Sequence, residues 1–152
     1  QKRRYVKIAC IPAKDISKLR ISISPHLNCG KAAILYSNSD VTIDDVNFYG
    51  IPMFMEDCIS DRQTRNYAAI PADVDVLITH CPPYDILDFD DGINYGSTEL
   101  LMKVEEIKPR LHLFGHIHKQ HGVKKDGSTI FSNGAIMNGD YTNFNLPNLI
   151  EI

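Results

Sequence analysis

Three histidines stand where this chain could do chemistry. His80 closes one apolar run, Val74-Asp-Val-Leu-Ile-Thr-His80, and His116 and His118 close another, Leu111-His-Leu-Phe-Gly-His-Ile-His118. Imidazole nitrogen ligates Zn, Mn, Fe, Co or Ni, and pairs of such ions bind phosphoryl oxygens and activate water. His116 and His118 are two positions apart, so an extended chain would turn both rings the same way. Gly115 permits the backbone turn that would let them face a common point. A lone histidine after a strand is more often a hydrogen-bonded structural residue, and Gly-His-x-His alone is a weak pattern. The combination on two strand ends is the stronger signal. His112 alternates with Leu111 and Leu113 and reads as structural or half-buried. His26 and His121 are given no role.

Positioning these rings is the task of the elements between 73 and 118. The run ending at Thr79 is short, apolar and β-branched, as expected of a buried strand. Residues 97 to 108 read as the best helix in the chain: Leu100, Leu101, Val104 and Ile107 form an apolar stripe, Ser97 is the N-cap and Pro109 the stop. A strand, a helix and a strand in that order make a right-handed crossover between parallel neighbours. The histidines then lie beyond the carboxyl ends of those strands, where open α/β sheets place ligands. Between strand and helix, the loop from Pro82 to Ser97 carries Asp85, Asp88, Asp90 and Asp91. Its aspartates read as solvated, and its length suggests a functional or mobile segment.

The remaining elements are short. Tyr5 to Ile11 reads as a strand ended by Pro12. In residues 13 to 30, Ser22, Ser24 and Pro25 break any long helix, and His26 to Gly30 reads as a turn. Ala32 to Tyr36, Val41 to Ile43 and Val46 to Ile51 form a meander, turning at Asp44-Asp45. Cys58 to Ala69 reads as a helix capped by Ser60 or Asp61. After His118 comes a hairpin turning at Asp126-Gly127, and the last strand is Leu149 to Ile152. The fold class is α/β (α+β), in a single domain covering 1–152.

Composition narrows the function. The chain has 152 residues, enough for a real core, and its 43 % apolar and 23 % charged content is that of an ordinary globular domain. A net charge of -3 gives no pull toward nucleic acid or an anionic membrane surface. No apolar run approaches the roughly 18 residues of a membrane span. Cys10, Cys29, Cys58 and Cys81 form no Cys-x-x-Cys pair, which argues against a disulfide framework or zinc knuckle and makes a reducing cytoplasm the expected location.

Residues 75 to 88, Asp-Val-Leu-Ile-Thr-His-Cys-Pro-Pro-Tyr-Asp-Ile-Leu-Asp, resemble a strand and loop of the calcineurin-like metallophosphoesterases. Residues 104 to 118 resemble that family's last metal-ligand motif. Ser132-Asn-Gly-Ala135, Tyr141 through Asn145-Leu-Pro147, and the final strand are similar to its closing segments, and Gly50-Ile-Pro52 resembles a Gly-x-Pro of its small metallophosphoesterase-domain-protein branch and bacterial relatives. The likeness runs over roughly residues 32 to 152. It implies a β-sandwich flanked by helices, in partial form. It also implies one or two divalent transition metals (Mn, Fe or Zn), with His80 and His116 on one and His118 on the other. The implied activity is hydrolysis of a phosphomonoester or phosphodiester, including a nucleotide, by metal-activated water.

The family's Asp-x-His, Gly-Asp and Gly-Asn-His motifs are not found. Family order would place the last of these around Cys10 to Asp15, which reads Cys-Ile-Pro-Ala-Lys-Asp. The family's glycine after the strand-end histidine is Cys81 here, and its loop glycine is Asp85. Thiolate and carboxylate are competent ligands, so both are auxiliary candidates. Three readings follow: a phosphoesterase whose other ligands lie upstream in a longer chain, a degenerate non-catalytic relative acting as a binding or interaction module, and a single-metal hydrolase on three histidines. A sheet short of partner strands would also expose edges, so a homo-oligomer is expected.

Overall fold

A computed structural model describes residues 5–9, 19–24, 31–35, 39–51 and 61–151, with side chains in 40–51 and 61–151. In chain order the strands are β1 (Tyr5–Ala9), β2 (Leu19–Ser24), β3 (Lys31–Leu35), β4 (Ser39–Ile43) and β5 (Val46–Ile51). Helix α1 (Arg62–Ala68) leads to β6 (Val76–Thr79), the small pair β7 (Phe89–Asp90) and β8 (Ile93–Asn94), and helix α2 (Thr98–Ile107). Then come β9 (Leu111–Phe114), a 3-10 turn at His118–Gln120, β10 (Gly122–Asp126), β11 (Thr129–Asn133) and β12 (Leu149–Glu151). No helix among the described residues is long and apolar enough to cross a membrane.

Two sheets carry the fold. The larger has the order β10-β11-β9-β6-β5-β4, and the smaller β12-β1-β2-β3. The centre of the large sheet is parallel: β5 with β6, β6 with β9, β9 with β11. Its outer strands β4 and β10 are antiparallel hairpin partners. This is a mixed α/β architecture, consistent with a partial calcineurin-like fold.

The pleat sorts the core. Phe48, Val76, Ile78, Leu111 and Leu113 point to one face and pack with Ile150 of β12, so the smaller sheet closes this side. Tyr49, Leu77, Phe114 and Phe131 point to the other face and pack with Tyr67 of α1 and with Leu100 and Val104 of α2. Strands buried on both faces read as continuous apolar runs rather than alternating ones, which is why 76–79 is Val-Leu-Ile-Thr.

Helix α2 starts where Ser97 predicts: its side chain accepts the Leu100 N–H at 3.1 Å. Lys108 ends it with a positive φ of 48° ahead of Pro109. Asp61 does stand at the N-cap of α1, but its side chain makes no capping hydrogen bond; Ser60, the other expected cap, lies outside the described residues, as do Cys10 to Asp15 and His26 to Gly30.

Three expectations are corrected. The segment 13–30, read only as too broken for a long helix and assigned no strand, holds β2, whose Leu19, Ile21 and Ile23 have strand periodicity. The β10–β11 turn is one residue later than Asp126-Gly127: Asp126 pairs Thr129, and Gly127 takes the positive φ of 54° as the first turn residue. Asp88 is not solvated but 2 % exposed, because it anchors its loop from inside.

Candidate metal centre

His80 follows β6 and Gly115-His116 follows β9, so parallel pairing of β6 with β9 brings these residues together at one sheet edge. The two loops are stitched by the Gly115 N–H, which donates to the His80 carbonyl at 3.1 Å. The ring Nε2 of His80 lies 3.1 Å from Nδ1 of His116, with ring centroids 4.9 Å apart. His118 opens the 3-10 turn and packs its ring on Tyr141 at 4.6 Å between centroids. Its Nδ1 is buried without a hydrogen-bond partner among the described residues.

Burial favours the neutral form of His80 and His116. Burial, then the nearby charge of His116, lowers the His80 pKa to about 4. His116, although exposed as a residue, is also held below its ordinary value, first by partial desolvation and then by His118. A ligating histidine must be neutral, so these shifts suit metal binding. The spacing suits it too. Two imidazole nitrogens at about 2.0–2.1 Å from one ion would sit about 2.8–3.4 Å apart, the short end for a right angle at the ion and the long end for a tetrahedral one. His80 and His116 therefore fit one edge of a coordination sphere.

The other predicted ligands are placed differently. Cys81 is buried immediately after His80. Asp85, at φ 61°, directs Oδ1 toward Asn94 Nδ2 at 3.4 Å. Among the described residues, no three histidine, cysteine, aspartate or glutamate side chains come together as a metal-holding group. The described site is thus a histidine pair with His118 beside it.

Around the pair the structure supplies features that sequence patterns hid. Lys119 bridges Asp90 at 2.7 Å and Asp91 at 2.6 Å, fastening the β7–β8 pair to the turn that carries His118. These two carboxylates push the lysine pKa up, and the lysine holds Asp91 down. Asn133 is fully buried behind the loops. Its sequence signals were its place in Ser132-Asn-Gly-Ala135, which resembles a closing segment of the family, and a polar side chain at the end of a strand; neither gave it a role at the site.

The calcineurin-like phosphoesterase family matches residues 3–120, which takes in both histidine segments. A UPF0046 protein of Caenorhabditis elegans is 49 % identical over 141 residues, covering 81 % of this chain and 50 % of its own length. A second UPF0046 protein from the same nematode is 40 % identical over 106 residues, covering 64 % of this chain and 36 % of its own length. The Metallophosphoesterase domain-containing protein 1 of Homo sapiens is 42 % identical over 86 residues, covering 55 % of this chain and 26 % of its own length. The chain spans half or less of each of these relatives. On the strength of the match over its strand-end histidines and most of its length, this chain belongs to the calcineurin-like phosphoesterase family.

Proposed function

We propose that this chain carries part of the site of a metal-dependent phosphoesterase, with His80 and His116 on one divalent ion and His118 toward a second. The observation that supports it best is the 3.1 Å approach of two neutral ring nitrogens at the ends of adjacent parallel strands. Family membership supports a phosphoesterase type of function, and this family usually binds divalent metals. When bound, such an ion supplies Lewis acidity toward a phosphoryl oxygen and acidifies a water. The chain's own share is to present His80 and His116 deprotonated, to fix their spacing through the Gly115–His80 backbone bond, and to keep His118 ordered against Tyr141. The substrate class is a small phosphomonoester or phosphodiester. Cys81 and Asp85 remain auxiliary ligands in this reading.

A second reading is a non-catalytic relative that binds one ion or a partner. It is favoured by the absence, among the described residues, of any His, Cys, Asp or Glu that joins the histidine pair in a three-membered metal-holding group, His118 included. Elemental mass spectrometry of wild type beside His116→Ala, after exposure to manganese or zinc, separates the two, together with hydrolysis of bis(p-nitrophenyl) phosphate. Metal and turnover that both disappear in His116→Ala are expected of the phosphoesterase. Metal without turnover would move the conclusion to the binding module, and no metal in either protein would overturn the site.

A further inference from the structure

Backbone strain coincides with the histidines. His116 has φ 70°, and the Ile117 N–H donates to the Gly115 carbonyl across it at 2.8 Å. That is a γ-turn of the positive-φ kind, which is rare and strained. Strain of this sort persists only where surrounding structure over-determines it. The Gly115 side of the turn is held by its bond to His80, and the end of β9 by the Gly134 N–H donating to Phe114 at 2.7 Å. On the far side, the Ile117 carbonyl accepts two N–H groups, a local one from the Gln120 backbone at 3.2 Å and a long-range one from β11. Asn133 Nδ2 donates to it at 2.8 Å.

Asn133 is the last residue of β11, paired with Phe114 and 0 % exposed. Its Nδ2 also reaches the Leu87 carbonyl at 3.3 Å, in the loop that follows His80. Its Oδ1 accepts from the Ala135 N–H at 3.0 Å, and its own carbonyl accepts from Asn148 Nδ2 at 3.0 Å. A buried asparagine must satisfy its carboxamide somewhere. The ends of these bonds carry the argument: one lies between His116 and His118, and another lies in the loop leaving His80.

We infer that Asn133 is a positioning residue of the histidine site. By gripping the Ile117 carbonyl it holds His116 in its positive-φ turn and keeps the His116 ring against His80. The metal arm of its test rests on the reading above, whereas the backbone arm does not. The test uses Asn133→Ala beside Thr129→Val. Thr129 lies at the other end of β11, is buried, and donates to the Pro109 carbonyl at 2.7 Å, so its loss weakens the same strand away from the histidines.

Nuclear magnetic resonance of the metal-free proteins reads the strong intraresidue HN–Hα contact that positive φ produces at His116. It is expected in wild type and Thr129→Val and lost in Asn133→Ala. Calorimetric zinc affinity is expected to fall roughly 10–100-fold in Asn133→Ala, the range for an outer-shell partner, and to hold in Thr129→Val. A folded Asn133→Ala that keeps the positive-φ signature would overturn the inference. If wild type binds no zinc while the His116 backbone still responds to Asn133→Ala, the metal reading falls and the positioning role stands. Should Asn133→Ala fail to fold, hydrogen exchange in wild type decides. The Asn133 carboxamide and the His116 and Ile117 amides should open as one unit, and independent opening of the His116 segment would overturn the role.

Discussion

His112 shows how one buried ring can set a pH dependence. It is 0 % exposed, between Phe114 and Phe131, with Nε2 at 3.0 Å from Thr79 Oγ1. The Thr79 hydroxyl gives its only proton to the Cys81 carbonyl, so it must accept from His112 Nε2–H. That fixes the tautomer and leaves Nδ1 as a buried acceptor without a partner among the described residues. Burial lowers the pKa from the ordinary 6.5 to about 3. The unfolded chain therefore binds a proton that the folded chain refuses between those values. This contribution is complete above pH 6.5, declines as pH falls toward about 3, and is level below. Its slope is at most about 1.4 kcal/mol per pH unit. Urea unfolding from pH 7 to pH 4 should show this loss, and His112→Gln, which keeps a donor toward Thr79, should flatten it. An unchanged slope in the variant would assign the acid sensitivity elsewhere.

The loop from Pro82 to Ser97 is an element in its own right. It is closed at its neck by backbone bonds from Ser97 to Pro82 at 3.1 Å and from Tyr84 to Ser97 at 3.0 Å. Inside, the Asp88 carboxylate accepts the backbone N–H of Asp85 at 3.1 Å and of Gly96 at 2.9 Å, and Asn94 Nδ2 at 3.0 Å. A carboxylate with this many donors can be buried without a cation. At the neck, a Cβ on Gly96 would lie 2.3 Å from the Pro83 carbonyl oxygen, backbone against backbone. Gly96→Ala should therefore cost about 1–3 kcal/mol, as an overpacked site does. The damage should concentrate at the neck, read as faster amide exchange at Tyr84 and Ser97. A variant with wild-type stability and protection would show that the neck can open without penalty.

At the scale of the whole molecule, the sheets leave strand edges unpaired among the described residues. The large sheet ends in β10 and β4. Lys124 and Lys125 stand on β10, the usual guard against edge-to-edge pairing. Ser39–Ile43 of β4 has no lysine or proline and is the weaker edge. The chain is expected to self-associate through β4, and Thr42→Lys, at an exposed position, should return it toward a monomer. Light scattering at micromolar concentration checks both; a monomeric wild type would remove the need for any partner on this edge.

Residue order alone was enough for local matters. The stripe of Leu100, Leu101, Val104 and Ile107 with Ser97 before it makes α2 wherever that segment sits, because capping and periodicity are properties of a few consecutive residues. The apolar runs before His80 and His116 likewise name the buried parallel strands, and their adjacency follows from the crossover rule. Long-range hydrogen bonding is different in kind. Asp88 reads as one more acidic loop residue until Asp85, Asn94 and Gly96 fold around it. Asn133 reads only as one residue of the Ser132-Asn-Gly-Ala135 segment until β11 pairs with β9 and brings its carboxamide to the Ile117 carbonyl, 16 residues away in the chain. The positive φ of His116 was foreshadowed only by the neighbouring Gly115, which is not itself a positive-φ residue. Local pattern determines which residues become strands and helices. Which polar groups those elements bring within hydrogen-bond reach, and so which histidines face each other, depends on packing between distant segments and was settled only by the tertiary fold.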